Sequence, residues 1–137
     1  AVKLDTNGSY PEKLSGILQL GLAEYVAMDI KNCKEKYAET IGLKNFDITP
    51  VEESMALLKE SGVDYEFRTT VTANFHTIDD IEKLAQWIEG TPRYYLQNFV
   101  DSGSLIDSSC KGVSKSEMNE MLERVRLYIP NAQLRGI

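Results

Sequence analysis

The sequence predicts an α/β fold with a mainly parallel β-sheet. Four short β-like runs alternate with four helical segments, which is the pattern of repeating βα units. Apolar residues recur at helical spacing within the helical segments, as expected for helices that pack on a sheet. The chain has 137 residues, of which 42% are apolar and 26% are charged. We therefore expect residues 1–137 to form a single domain with one core.

The predicted strands are short runs whose side chains alternate as in a half-buried strand. They cover residues 2–5, 25–31, 65–72 and 93–99. Two of the connections between elements are longer than the others, residues 32–48 and 100–113. The second connection contains Ser, Asp and Gly, so we expect a mobile surface loop there.

Each predicted helix begins with a hydroxyl residue that is followed three positions later by an acidic residue. This spacing is typical of a capping box, in which the two side chains bind each other's backbone N–H groups. The four motifs are Ser9-x-x-Glu12, Thr49-Pro50-x-Glu52, Thr77-x-x-Asp80 and Ser114-x-x-Glu117. The sequence therefore predicts the presence of the four helices more firmly than the residues at which they begin and end.

Each strand divides into an apolar face and a polar face, because alternate side chains point to opposite sides. The polar face carries Lys3, Asp5, Asp29, Lys31, Glu66, Arg68, Thr70, Thr72 and Gln97. A doubly wound sheet, which helices cover on both sides, would have nearly continuous apolar strands. The pattern favours a barrel with helices outside and a polar lumen. Basic and acidic side chains are equally frequent on this face, which suits a zwitterionic ligand better than a phosphate-rich one.

Several polar side chains lie toward the carboxyl ends of their predicted strands, where parallel α/β folds bind ligands. They are Asp5, Asp29, Lys31, Thr70 and Thr72. The alternative is that these residues form ion pairs in the barrel lining or cap turns. Asp5-Thr6-Asn7-Gly8 alone is also typical of a strand-to-helix turn. The repetition over four strands favours a ligand site.

The composition excludes several classes of function. A net charge of −6 argues against a non-specific nucleic-acid binder, and no apolar run is long enough to span a membrane. One histidine, His76, and two distant cysteines, Cys33 and Cys110, do not have the spacing of a zinc or iron–sulfur site. We expect a reduced, cytoplasmic protein. The chain begins directly with a strand-like run and no signal peptide, so we also expect a truncated or processed polypeptide.

Four segments resemble successive strands of the radical S-adenosylmethionine (SAM) activating enzymes. They are Val2-Lys3-Leu4-Asp5-Thr6-Asn7-Gly8, Tyr25-Val26-Ala27-Met28-Asp29-Ile30-Lys31, Phe67-Arg68-Thr69-Thr70-Val71 and Arg93-Tyr94-Tyr95-Leu96-Gln97-Asn98-Phe99. The likeness is to activating proteins of anaerobic ribonucleoside-triphosphate reductase, with pyruvate formate-lyase activating enzyme as a near relative. The combination of Leu-Asp-Thr-Asn-Gly with Met-Asp-Ile-Lys, in that order, is its most specific part.

The resemblance implies a partial (β/α)6 barrel, of which this chain would supply the C-terminal four βα units. The tail Ala132-Gln133-Leu134-Arg135-Gly136 resembles a family terminus. The Cys-x-x-x-Cys-x-x-Cys motif that holds a 4Fe–4S cluster in the family, and its Gly-Gly-Glu motif, do not occur in the sequence. The chain would therefore lack the N-terminal cluster-binding part and contain no catalytic residue or iron–sulfur ligand, so that alone it would be inactive.

The resemblance also assigns roles to individual residues. Asp5 would lie near the SAM amino group, and Asp29 and Lys31 near the ribose hydroxyls and the methionine carboxylate. Arg68 and Thr70 would lie near SAM and an incoming glycyl loop. Phe99 and Val100 would form a wall of the adenine pocket, although pyruvate formate-lyase activases have histidine at the position of Val100. A monovalent cation beside SAM would bind Asp5, Thr6, the Ala27 carbonyl and Asp29.

The full-length parent would thus be an oxidoreductase that uses SAM and a 4Fe–4S cluster to generate a glycyl radical on a partner enzyme. Flavodoxin or ferredoxin would supply electrons, and neither cofactor would stay stably bound to this chain alone. The alternative is an autonomous α/β module that binds a small molecule without redox chemistry. A structural subunit without a ligand is a third possibility. An unpaired outer edge on the first strand would favour self-association of the chain.

Overall fold

The computed structural model describes residues 2–100 and 111–135. These residues form a parallel sheet with alternating helices, which confirms the predicted α/β class. The strands are β1 (Lys3–Thr6), β2 (Tyr25–Asp29), β3 (Asp64–Val71), β4 (Tyr94–Asn98) and β5 (Gln133–Arg135). The helices are α1 (Pro11–Gln19), α2 (Tyr37–Ile41), α3 (Thr49–Ser61), α4 (Ile78–Trp87) and α5 (Lys115–Arg126), with a 3-10 turn at Lys34–Lys36.

The strands lie in the sheet in the order in which they occur in the chain, β1-β2-β3-β4-β5, and every neighbouring pair is parallel. Right-handed crossovers between strands in this order place all the helices on the same side of the sheet. A doubly wound sheet reverses its strand order at a switch point. The strand order of the described residues therefore agrees with the predicted α/β class and not with a doubly wound sheet.

The core lies between the apolar face of the sheet and the helices. Met28 of β2 and Leu96 of β4 are fully buried, as are Leu58 of α3, Leu84 of α4 and Met118 of α5. Complete burial of one such side chain stabilises the fold by about 1.5–3 kcal/mol. The helices are therefore held to the sheet mainly by these contacts.

The turn between β1 and α1 has the conformation that its Asn-Gly sequence predicts. Gly8 adopts a positive φ of 74°, and a Cβ atom there would overlap the terminal methyl of Met28. The Ser9 N–H donates to Asn7 Oδ1 at 2.9 Å, and Ser54 Oγ donates to the Gly8 carbonyl at 2.8 Å. Glycine is favoured at this position mainly for its positive φ, since the overlap with Met28 involves the end of a flexible side chain.

Two of the four predicted capping boxes are present, and two are not. Thr77 with Asp80 caps α4, and Ser114 with Glu117 caps α5. The N-caps of α1 and α3 are Tyr10 and Ile48 instead, and neither makes a side-chain cap hydrogen bond. Both of these helices have proline in the first turn, whose fixed φ suits a helix start and which has no N–H to be capped.

The structure corrects several of the predicted boundaries. β2 ends at Asp29 and β3 ends at Val71. The predicted strands at residues 25–31 and 65–72 were therefore too long at their carboxyl ends. Residues 32–48, predicted as a connection, contain the 3-10 turn and α2. The tail forms β5, which pairs with β4 and makes five strands rather than four. Three residues are too few for an alternating pattern to reveal such a strand.

Residues 101–110 of the predicted mobile loop, including Cys110, lie outside the described residues. Among the helices that are described, none combines the length and the apolar character needed to cross a membrane.

Replacing Ser114 with alanine should lower the free energy of unfolding by about 1 kcal/mol, because its Oγ accepts from the Glu117 N–H at the start of α5. Ser9→Ala is the matched control, since α1 has no side-chain cap, and it should change the free energy by less than about 0.5 kcal/mol. Chemical denaturation measures both values. Equal losses in the two variants would contradict the assignment of the cap.

Candidate functional site

Three charged side chains from three neighbouring strands meet on the polar face of the sheet. Asp29 and Arg68 are paired in the register of β2 and β3, and Arg68 Nε donates to Asp29 Oδ1 at 2.6 Å. Arg68 Nη1 also lies 3.5 Å from Oδ1 of Asp5 on β1. A single guanidinium therefore bridges both carboxylates that the sequence singled out.

Lys31, which follows β2, completes this charged cluster. Its Nζ lies 3.6 Å from Asp29 Oδ2. The Lys31 side chain is 44% exposed and that of Asp29 is 33% exposed, so both remain accessible to a ligand. Burial lowers the pKa of Arg68, but the hydrogen bond to Asp29 together with the negative charges of Asp29, Asp5 and Glu66 outweighs that effect, and the net pKa is raised. With two carboxylates and two cations, the cluster is balanced in charge.

A cleft of about 210 Å³ opens beside the cluster. Asp29, Lys31, Arg68 and Thr70 line it, so the structure brings four of the predicted site residues together. Asp5 reaches the cleft through its contact with Arg68. The carboxyl ends of β2 and β3 form the base of the cleft, which is the edge where parallel α/β folds bind ligands.

The remaining predicted residues lie outside this cleft. Thr6 Oγ1 accepts from the Gly8 N–H at 3.1 Å and so belongs to the β1–α1 turn. Ala27 is fully buried on β2. Phe99 and Val100 follow β4, and neither lines the cleft. Their role as a wall of an adenine pocket stays a prediction.

Sequence reasoning missed several residues of the cleft as site residues. Thr40, Phe75 and His76 line it together with the four predicted residues and with Thr72, which the sequence had placed at the carboxyl end of its strand. Phe75 and His76 lie between the end of β3 and the Thr77 cap of α4. Their position was a usable signal, because loops that follow parallel strands carry ligand-binding residues. Nothing in the sequence placed Thr40 of α2 near them.

A second cluster lies on the polar face, around the buried carboxylate of Glu66. Arg135 of β5 donates to it from Nη1 at 2.7 Å and from Nη2 at 3.3 Å, and the Tyr25 hydroxyl donates at 2.9 Å. The Arg135 guanidinium also stacks 3.7 Å from the centre of the Tyr95 ring. Burial raises the pKa of Glu66, but the hydrogen bonds from Arg135 and Tyr25 outweigh this, so the net pKa is lowered.

The residues present fit SAM but do not fit an iron–sulfur cluster. A zwitterionic methionine moiety and ribose hydroxyls match exposed groups of both signs beside the cleft. The cluster needs several thiolates, whereas the sequence has two cysteines. Cys33 is 1% exposed, and burial raises the pKa of its thiol. Among the described residues, no three His, Cys, Asp or Glu side chains are placed to hold a metal ion.

The predicted monovalent cation does not fit the arrangement as it stands. Two of its four proposed ligands, Asp5 and Asp29, already bind the guanidinium of Arg68. A second positive charge between the same carboxylates would be repelled by Arg68. The side chain of Arg68 would have to move away before such an ion could bind.

Arg135→Leu should lower the free energy of unfolding by about 2 kcal/mol, because it removes the charged partner of the buried Glu66. Arg124→Leu breaks the more exposed pair with Glu82 and should lower the free energy of unfolding clearly less, because solvent screens exposed ion pairs. The folded-state pKa of Glu66 is below its ordinary value of 4.5. Its stabilising effect is therefore present above about pH 4.5 and is lost as the pH falls through the lowered pKa. Equal losses in the two variants at pH 7 would contradict this account.

Known proteins resemble the chain in sequence and in fold. A protein of Methanocaldococcus jannaschii, provisionally assigned as a glycyl-radical enzyme activating enzyme, is 29% identical over 143 aligned positions. The alignment covers 99% of this chain and 59% of that protein, so the chain spans less than two thirds of its relative's length. No protein-family model matches the chain.

Two solved structures share the fold. A domain of pyruvate-formate lyase-activating enzyme from Bacteroides vulgatus matches 98% of this chain and 80% of its own, with 13% identity and a TM-score of 0.72. A radical SAM methyltransferase from Sphaerobacter thermophilus matches 97% of this chain and 39% of its own, with 14% identity and a TM-score of 0.79. These comparisons confirm both the resemblance to radical SAM activating enzymes and the α/β fold that it implied.

Proposed function

We propose that this chain is the SAM-binding part of a radical SAM enzyme that generates a glycyl radical on a partner enzyme. The observation that carries the proposal is the cluster of Asp29, Lys31 and Arg68 beside a cleft at the carboxyl ends of β2 and β3. The similarity to a glycyl-radical enzyme activating enzyme over 99% of the chain supports it.

In this proposal the charged cluster binds and orients SAM. The Lys31 ammonium pairs with the methionine carboxylate, and the Asp29 carboxylate accepts hydrogen bonds from the ribose hydroxyls. Asp5, which is 63% exposed, receives the SAM amino group. Charge-assisted hydrogen bonds of this kind are shorter and stronger than neutral ones. Arg68 holds Asp29 and Asp5 in place, so that less conformational freedom is lost when SAM binds.

The other side of the bound ligand faces the partner. Thr70 lines the cleft next to Arg68, and we assign both to the region that an incoming glycyl loop enters. Phe99 and Val100 follow β4 and would contact the adenine. A monovalent cation at Asp5, Thr6, the Ala27 carbonyl and Asp29 stays a prediction, and it competes with Arg68 for the two carboxylates.

The electron for the reaction must come from outside the described residues. A 4Fe–4S cluster, when present in the parent protein, supplies that electron for the reductive cleavage of SAM. We assign the cluster to another part of the parent, because this sequence has two cysteines. The chain alone would then be inactive and would hold SAM only weakly. The parent would be an oxidoreductase of the cytoplasm, with flavodoxin or ferredoxin as electron donor. Self-association through the outer edge of β1 stays a prediction.

One observation favours the alternative, an autonomous small-molecule binding module. The described residues that line the cleft all lie within residues 29–76, and none of them is a cysteine. A module of this kind would bind its ligand tightly without any further segment. Strong SAM binding by the isolated chain, with no loss of affinity on cluster removal from the parent, would favour this alternative.

Asp29→Ala and Lys31→Ala should each weaken SAM binding by about 1.5–3 kcal/mol, the range for a lost hydrogen bond to a charged group. Titration of SAM into the ¹⁵N-labelled chain, followed by NMR chemical shifts, measures even weak binding. Asp64→Ala and Lys59→Ala are the matched controls, since neither residue lines the cleft, and they should bind SAM like the wild type. Unchanged affinity in both site variants would remove the proposed site.

A further inference from the structure

The carboxyl ends of β2 and β3 separate just above the charged cluster. The Ile30 N–H donates to the Arg68 carbonyl at 2.8 Å, and Thr69 Oγ1 donates to the Ile30 carbonyl at 2.7 Å. One step further along each strand, the imidazole of His76 lies between the two backbones. The side chain thus bridges the strands at the point where the cleft opens.

Each nitrogen of the His76 ring contacts one of the two strand ends. The Thr72 N–H, at the end of β3, donates to Nδ1 at 3.0 Å. Nε2 lies 2.7 Å from the carbonyl oxygen of Lys31, at the end of β2. Because Nδ1 accepts a hydrogen bond, the neutral ring carries its proton on Nε2 and donates it to Lys31. The neutral imidazole therefore pairs with the Thr72 N–H and with the Lys31 carbonyl, two backbone groups that lie just past the paired parts of the strands.

The surrounding segments hold the imidazole in place. The His76 N–H donates to the Thr72 carbonyl at 3.0 Å, which closes residues 72–76 into a turn. The fully buried Asn32 donates from Nδ2 to the Phe75 carbonyl at 2.8 Å and to Thr40 Oγ1 at 2.9 Å. His76 itself is 5% exposed. Neither the ring nor the Lys31 backbone can turn without breaking several of these hydrogen bonds.

Protonation of His76 breaks the bridge to the Thr72 backbone. A proton on Nδ1 would point at the Thr72 N–H, which could no longer donate, so that the Thr72 hydroxyl at 3.3 Å would be left as the contact of Nδ1, and the charged ring would lie in a buried position. Burial is the main reason that the pKa of His76 is below its ordinary value of 6.5. Among the charged groups nearby, Asp80 of α4 raises the pKa and Lys36 of the 3-10 turn lowers it.

The charged residues of the cleft, Asp29, Lys31 and Arg68, also face the region of His76. They are already paired with one another, so no free carboxylate among them is held for the imidazolium. The neutral ring is therefore the form that fits all of its neighbours.

We propose that His76 is a positioning residue, which in its neutral Nε2–H form ties the Lys31 backbone to the end of β3 and so holds the charged cluster in its ligand-binding geometry. The proposal rests on the proposed function for its statement about SAM. It goes beyond that function because it gives the chain's single histidine a defined role and makes the geometry of the cleft dependent on pH.

The direction of the pH effect follows from the hydrogen bonds. The bridge is intact above about pH 6.5 and is lost as the pH falls through the lowered pKa of His76. If the protonated form does not bind SAM, the affinity falls by about tenfold per pH unit below that pKa. The amino group of SAM itself titrates, so a variant without the histidine is needed to isolate this contribution.

Two variants distinguish the loss of the hydrogen bonds at position 76 from a change in the charge of that side chain. His76→Gln can donate to the Lys31 carbonyl and accept from Thr72 without changing charge between pH 5 and 7. His76→Phe keeps a ring in the cavity but removes both hydrogen bonds. Circular dichroism and thermal melting show whether each variant is folded, and Gln serves as the rescue where Phe perturbs packing.

The first measurement uses the chain without ligand. Amide hydrogen exchange should show the Thr72 N–H protected at pH 7 in the wild type and in His76→Gln. Protection of this amide should fall at pH 5 in the wild type but not in His76→Gln, and it should be low in His76→Phe at both pH values. Equal protection of Thr72 in all three proteins at both pH values would overturn the proposal, whether or not SAM binds.

The second measurement is the affinity for SAM by NMR titration at pH 7 and pH 5. Relative to His76→Gln, the wild type should lose affinity as the pH falls from 7 to 5. Parallel pH profiles for wild type and His76→Gln would overturn the role of His76 while leaving the SAM site intact. Absence of SAM binding by the wild type at pH 7 would instead contradict the proposed function, and the exchange result for Thr72 would still decide whether His76 is a bridge.

Discussion

The strand order is the constraint on which the rest of this structure depends. Five parallel strands follow one another in chain order, and right-handed crossovers then bring every helix to the same side. One face of the sheet becomes the core. In the part of the chain that the structure describes, the other face carries the charged and hydroxyl side chains that a doubly wound sheet would have to exclude.

Charges on this polar face still need partners, because several of them are only partly exposed to water. Glu66 is 1% exposed, and Arg135 of the last strand supplies its charge partner. Asp29 is bound by Arg68 and Lys31. The Glu66 carboxylate is buried, whereas the Asp29 carboxylate and the Lys31 ammonium remain partly exposed and border a cleft. The difference in exposure separates a group that stabilises the fold from groups that can bind a ligand.

The alternating pattern of the strands was enough to predict the polar face, the parallel class and four residues that line the cleft. Caps were predicted correctly at Thr77 and Ser114, where the side chains themselves determine the helix start. They were predicted wrongly at Ser9 and Thr49, where a nearby proline determines it instead. The local sequence shows that a capping residue and a proline are both present. It does not show which of the two sets the first residue of the helix.

The contacts that the sequence could not show are those between distant segments. The Glu66–Arg135 pair joins residues far apart in the chain, and β5 is too short to be recognised by its pattern. His76 precedes a helix cap and resembles any polar loop residue until Lys31 and Thr72 are placed on either side of its ring. The bridging of Asp5 and Asp29 by Arg68 depends on the register of three strands.

The central claim is that the open polar face, at the ends of β2 and β3, is where this chain binds SAM. Intermolecular nuclear Overhauser effects between SAM and the labelled chain test it most directly. The account predicts contacts from SAM protons to Lys31, Thr70 and Phe75 in the cleft. Contacts instead to Met55, Tyr65 and Trp87, which line a groove on the helical side of the sheet, would contradict it.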